Sequence, residues 1–164
     1  MNRLTVAALF TWFAACGPAP EDDEVLTDAD AVSAELSSAT IQRALHWFQA
    51  NNGGTSFRKV NGASVPSEGR CELAVETSYG KLGKYATAHQ NYLAHRAEAA
   101  SNKSRGLVPP LGASVFYNTS ADGHVAFSAG GGRIWSTSVN RRIGNASMWH
   151  FQNYLGWAWV GYGN

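Results

Sequence analysis

Residues 124–139 read HVAFSAGGGRIWSTSV. Two runs rich in β-branched and aromatic residues, His124–Ala129 and Arg133–Val139, flank three consecutive glycines. Glycine tolerates positive φ, so Gly130-Gly131-Gly132 predicts a tight hairpin. Outward from it, Ser114–Tyr117 predicts a preceding strand and Tyr154–Tyr162 a final aromatic-rich one, with a short helix over Ala146–Asn153. Upstream the apolar period is helical. Ser38–Ala50 carries Ile41, Leu45 and Phe48 at helical spacing and stops at Asn51-Asn52-Gly53-Gly54. Further helices are expected over Cys71–Tyr79 and Lys84–Ala100, with residues 55–70 as a loop that has room for a short strand and 101–112 as a polar loop. Helices first and an antiparallel sheet afterwards make an α+β domain.

The chain has 164 residues, a length for one domain, and 45% hydrophobic content, enough for a core. Two cysteines exclude a disulfide-rich scaffold and a multi-cysteine zinc site. The net charge of +1 hides a division. Residues 21–35 hold seven acids (Glu21, Asp22, Asp23, Glu24, Asp28, Asp30 and Glu35) and no Lys or Arg. From residue 36 onward, twelve basic residues stand against five acids. A cationic domain follows an acidic segment and suits a polyanionic partner such as a cell-wall polymer or anionic lipid. The basic residues are scattered, which argues against nucleic acid as a partner.

Residues 1–15 read as a signal peptide. Arg3 supplies the positive start, and Leu4–Ala15 is an apolar run broken by Thr5 and Thr11. A membrane-spanning helix needs about 20 residues, so this run is too short to span. Phe13-Ala14-Ala15-Cys16 resembles the end of a bacterial lipoprotein signal, with Phe13 where that pattern has leucine. The resemblance implies cleavage before Cys16, lipidation of its thiol, and an exported protein anchored to the membrane of the bacterial cell envelope. The alternative is an ordinary signal peptide cleaved near Ala15 or beyond. Residues 16–36 read as an extended acidic tether, and the domain is expected over 37–164.

With Cys16 lipidated, Cys71 has no disulfide partner within the chain, and an unpaired cysteine in an exported protein needs an explanation. Cys71 is expected in the first turn of a helix beside Arg70, where the helix dipole favours a thiolate nucleophile. A buried, inert cysteine is the alternative. His124, directly after Gly123 at a strand start, is the candidate base. His46, His89 and His95 fall on helices, and His150 lies in the aromatic C-terminal stretch, where it fits a satisfied core position. No pair of histidines has metal-ligand spacing, so neither a metal nor another cofactor is expected. The residue that orients the imidazole depends on the hairpin. A three-residue glycine loop sets His124 opposite Ser138, a one-residue shift selects Ser136, and a two-residue turn selects Thr137. Asn140 lies just beyond the strand.

Three stretches in order resemble papain-like bacterial cell-wall hydrolases, nearest the NlpC-type peptidases and the CHAP amidase/endopeptidase group. Gly69-Arg70-Cys71-Glu72-Leu73-Ala74-Val75 resembles their nucleophile helix. Pro109-Pro110-Leu111-Gly112-Ala113-Ser114-Val115-Phe116-Tyr117 resembles their first core strand. Gly123-His124-Val125-Ala126-Phe127-Ser128 and Gly131-Gly132-Arg133-Ile134-Trp135-Ser136-Thr137 resemble their histidine hairpin. The resemblance implies a papain-like fold, Cys71 as nucleophile, His124 as base and Ser136 at the third catalytic position. It implies a monomeric thiol protease or amidase that cleaves amide bonds in peptidoglycan through a thioester. Two other classes fit the same features: a non-catalytic wall-binding lipoprotein on this scaffold, and a small-molecule acyltransferase using the same dyad.

Overall fold

The structure, a computed structural model, describes residues 37–162. Cys16, the signal segment and the acidic tether lie outside the described residues.

Helix α1 spans Ser38–Ala50. Ser37 caps it, its hydroxyl accepting the Thr40 backbone N–H at 3.2 Å. Ala44 and Phe48 are buried, with Ile41 and Leu45 packed beside them. A small antiparallel pair follows, β1 (Ser56–Arg58) and β2 (Ser64–Pro66), within the expected loop. Helix α2 spans Cys71–Ser78. Helix α3 spans Ala88–Ser104, four residues later than expected at each end. Its start is set by Thr87, whose hydroxyl accepts the Gln90 N–H at 3.2 Å, a capping signal stronger than the apolar pattern at Lys84–Tyr85.

The C-terminal half is one antiparallel sheet of β3 (Ser114–Tyr117), β4 (His124–Gly130), β5 (Arg133–Val139), β6 (Arg142–Ser147) and β7 (Tyr154–Ala158), in the order β6-β5-β4-β3-β7. The architecture is α+β. The helix expected over Ala146–Asn153 is absent: Arg142–Ser147 is a strand, with turns after it. Asn140 and Arg141 both take positive φ, 52° and 61°, and Val139 pairs with Arg142. That is a two-residue hairpin turn of the type whose twist matches its strands, and it returns the chain into the sheet. The last strand stops at Ala158, short of the expected Tyr162.

The glycine hairpin keeps the anticipated three-residue register but reaches it through a different turn. Gly130 pairs with Arg133 across a two-residue Gly131-Gly132 turn, but Ser128 pairs with Ile134 and Phe127 with Trp135. Ala129 is thus an extra residue on β4, a bulge. Past it the register equals that of a three-residue loop, which sets His124 across from Ser138 and diagonal to Ser136.

The sheet is covered on both faces. Phe116, Val125, Phe127, Trp135 and Ile143 pack with Phe48, Val75 and Tyr79 of the helical layer. On the other face Val115, Tyr117, Ala126, Ile134 and Trp157 pack with Met148, Phe151 and Tyr154 from the β6–β7 connection. Helix α3 lies so close to β7 that a Cβ on Gly156 would overlap the Ala99 carbonyl oxygen. Gly156 also takes φ +129°, so the position is closed to other residues on both grounds.

Candidate active site

Cys71 opens α2 after a turn in which the Arg70 N–H donates to the Ser67 carbonyl at 3.1 Å. Arg70 provides no side-chain cap, so the first-turn amides have no side-chain acceptor from it. The sulfur sits among the backbone N–H groups of Val125, Glu72 and Cys71. Cys71 is half-buried and lines a cavity of about 450 Å³, together with His124, Ser138, Phe151, Thr119 and Asp122.

His124 starts β4, opposite Tyr117 of β3. Its position is fixed from the preceding loop. The His89 backbone N–H donates to the Asp122 carbonyl at 2.7 Å, so the start of α3 holds this loop. Gly123 takes φ +69°, and a Cβ there would come within 2.9 Å of the His89 nitrogen. The His124 ring is buried against Phe151, with centroids 4.1 Å apart. Its Nε2 lies 2.8 Å from the buried Ser136 hydroxyl. A partner at Nε2 leaves Nδ1 as the nitrogen available for proton exchange.

The structure brings Cys71 and His124 to one cavity and joins His124 to Ser136. Among the other anticipated orienting residues, Ser138 lines the cavity, Thr137 is buried with its hydroxyl unpartnered, and Asn140 stands in the β5–β6 turn. His46, His89 and His150 are exposed and His95 is half-buried, so His150 is not a core residue. Among the described residues, no group of three or more His, Cys, Asp or Glu gathers in metal-binding geometry.

Burial dominates the electrostatics. It pushes the Cys71 thiol up to about 11, against the Val125 amide, while the Glu72 carboxylate pushes it further up. The helix terminus therefore does not yield a resting thiolate, contrary to the expectation from its position in the sequence. Burial also pulls the His124 imidazole down to about 4, with His150 adding to the effect. Burial thus favours the neutral form of both groups at rest.

Two residues of this region escaped the sequence reading. Phe151, packed on His124, falls where a helix was expected. Glu72 is buried one residue from the nucleophile candidate, and burial pushes its carboxyl up to about 7 against hydrogen bonds from Asn91 and Tyr162. Its signal was present. Glu72 and Glu76 are like charges at i and i+4 on one short helix, which is unfavourable unless each has its own partners.

No known family matches the chain, and neither a curated protein nor a solved structure matches it significantly.

Proposed function

We propose that the protein is a papain-like cysteine amidase or endopeptidase acting on the peptide moiety of peptidoglycan, exported and held at the bacterial cell envelope by a lipid on Cys16. The observation that carries the reading is the Nε2–Oγ bond of His124 to Ser136, with His124 lining the same cavity as Cys71. It supports a nucleophile, base and orienting group in one site, in the order that resembles the cell-wall hydrolases.

In the proposed reaction the Cys71 sulfur attacks the amide carbonyl carbon as His124 Nδ1 accepts the thiol proton. The charge on the carbonyl oxygen is met by backbone N–H groups at the start of α2. The C–N bond then breaks, and the imidazolium returns its proton to the departing amine. Water attacks the thioester carbonyl, giving its proton to His124, and the acid leaves with the thiol restored. Ser136 fixes the ring through Nε2 and leaves Nδ1 free to exchange the proton, the role that the third member of a triad fills. The excess of basic residues from residue 36 onward favours approach to an anionic wall.

Purified peptidoglycan incubated with wild type and Cys71→Ala tests the reading. Release of soluble fragments with new amino groups, lost in the variant while its thermal unfolding is unchanged, is the expected result. Fragment release by Cys71→Ala would overturn it.

A second reading, a non-catalytic wall binder, draws on Trp149. This residue is 68% exposed and borders a second cavity, of about 730 Å³, with Leu107, Val108, Met148 and Tyr154. An unreactive Cys71 combined with tight sedimentation of the protein with insoluble wall would favour it.

A further inference from the structure

Glu72, Asn91 and Tyr162 form a closed polar ring inside the protein. Asn91 Nδ2 donates to the Tyr162 hydroxyl at 2.6 Å and to Glu72 Oε1 at 2.9 Å, and the Tyr162 hydroxyl donates to the same Oε1 at 2.9 Å. Asn91 and Tyr162 are fully buried and Glu72 is 4% exposed. The ring joins α2, α3 and the C-terminal segment. It contains no cation. The neighbouring carboxylate, Glu76, has partners of its own in the Gly83 and Tyr85 backbone N–H groups, at 2.7 and 2.8 Å.

The groups around Glu72 are Cys71 and Glu76 on α2, Tyr85 before α3, Asn91 on α3, and Tyr162 with Tyr79 stacked on it. Lys84 lies beyond, over the Tyr162 ring and bonded to the Gly161 carbonyl. A buried carboxylate with no counter-charge in contact is costly to keep ionised. A glutamine would fill the same space and make comparable hydrogen bonds. Asn91 Oδ1, buried with no partner, could accept its amide N–H after a flip. What the carboxylate adds over an amide is charge, one residue from the thiol.

We propose that Glu72 is a positioning residue for Cys71. Through Asn91 and Tyr162 its carboxylate ties the first turn of α2 to α3 and the C-terminal segment, and its charge adds to the larger effect of burial in disfavouring the thiolate until His124 takes the proton during attack. This inference rests on Cys71 being the nucleophile. A protonated resting thiol resists adventitious alkylation and oxidation, which act on the thiolate. For an exported protein with a single thiol in its described domain, that protection preserves the nucleophile between turnovers.

The test is the pH dependence of iodoacetamide alkylation at Cys71, followed by mass spectrometry of the peptide containing it, in the full chain. Glu72→Gln is expected to move the profile to lower pH and raise the rate at pH 8 by about 3- to 10-fold, the size of a nearby charge removed from a partly solvated site. Its unfolding temperature at pH 8 should not fall below wild type, which separates a faster reaction from a loosened fold. Tyr162→Phe removes a hydrogen bond that favours the ionised carboxylate, so it should shift the profile in the same direction by less. A Glu72→Gln profile superimposed on wild type, or slower alkylation in Tyr162→Phe, would overturn the inference. The alkylation readout needs no wall substrate. Failure of the hydrolase reading shows instead as fragment release by Cys71→Ala.

Discussion

The imidazole of His124 and the hydroxyl of Ser136 meet at 2.8 Å across adjacent strands, both buried and diagonal to each other because of the Ala129 bulge. A hydroxyl orients the ring without adding charge. Ser136→Ala should therefore lower kcat on a wall peptide by about 10- to 100-fold with little change in KM, because the ring loses its fixed direction. Stability should fall by about 1 kcal/mol, as a buried ring nitrogen loses its partner. Steady-state kinetics and thermal unfolding check both. An unchanged kcat would remove Ser136 from the site.

The pH dependence of hydrolysis follows from the burial of His124. With the imidazole pulled down to about 4, the base stays unprotonated well below the usual histidine range. The acid limb of kcat/KM should lie near pH 4 to 5, not near 6.5, and the imidazole signals in NMR should titrate with it. A limb at the ordinary histidine value, matched by the NMR titration, would contradict this.

Glu72 predicts a pH-dependent stability of definite sign. Its folded carboxyl lies near 7, above the ordinary value of 4.5. Between those values the folded chain keeps a proton that the unfolded chain has released, so stability declines as pH rises through the interval. The full effect is about 3 kcal/mol. Glu72→Gln lacks it, so the variant should gain relative to wild type by about 2 to 3 kcal/mol between pH 4.5 and 8. His124 acts with the opposite sign from pH 4 to 6.5, because its folded value is depressed, but it is common to both proteins and cancels in the difference. Urea unfolding at several pH values measures it. A constant difference would show that Glu72 is not shifted.

Gly123 is expected to be the most sensitive glycine for activity. Alanine there must adopt φ near +69° and crowd the His89 backbone at 2.9 Å, which displaces the residue that carries the base. Gly123→Ala should cost about 1 to 3 kcal/mol of stability and reduce hydrolysis by at least about tenfold. Gly131→Ala is the control. Its φ is also positive, +58°, but a Cβ there meets nothing within 4 Å. It should lose about 1 kcal/mol and keep most activity. Equal activity losses in the two variants would argue against placement through Gly123.

Where local pattern and tertiary packing agreed, the sequence was readable. Ser38–Ala50, Ser114–Tyr117 and Arg133–Val139 carry one strong period each and end at turn residues. The α+β class followed from them. Residues 142–147 were not readable because the turn before them uses Arg141 in a left-handed conformation, which its residue type does not announce. Cys71 and His124 were legible as candidates, since a lone thiol and a histidine at a strand start are conspicuous. The tuning of the pair was not. The position of Cys71 at a helix start pointed to a lowered thiol, and burial reversed the sign. The hydrogen-bond partner of His124 depended on the single-residue bulge at Ala129, which a run of small residues leaves open.

The sheet has two outer strands, and neither presents an open ladder along its length. On β6 the Ile143 carbonyl accepts the Gly53 N–H at 2.7 Å, its N–H donates to Gly54 at 2.9 Å, and Arg142 reaches the Gly53 carbonyl at 3.0 Å. On β7 the Trp157 carbonyl is taken by Asn102 at 3.0 Å and the Tyr154 carbonyl by Lys103 at 2.6 Å, under the covering helix α3. The chain's own backbone and side chains thus occupy part of each margin, which hinders strand addition from a neighbouring molecule. Cover of this kind protects a folded sheet against edge-to-edge aggregation.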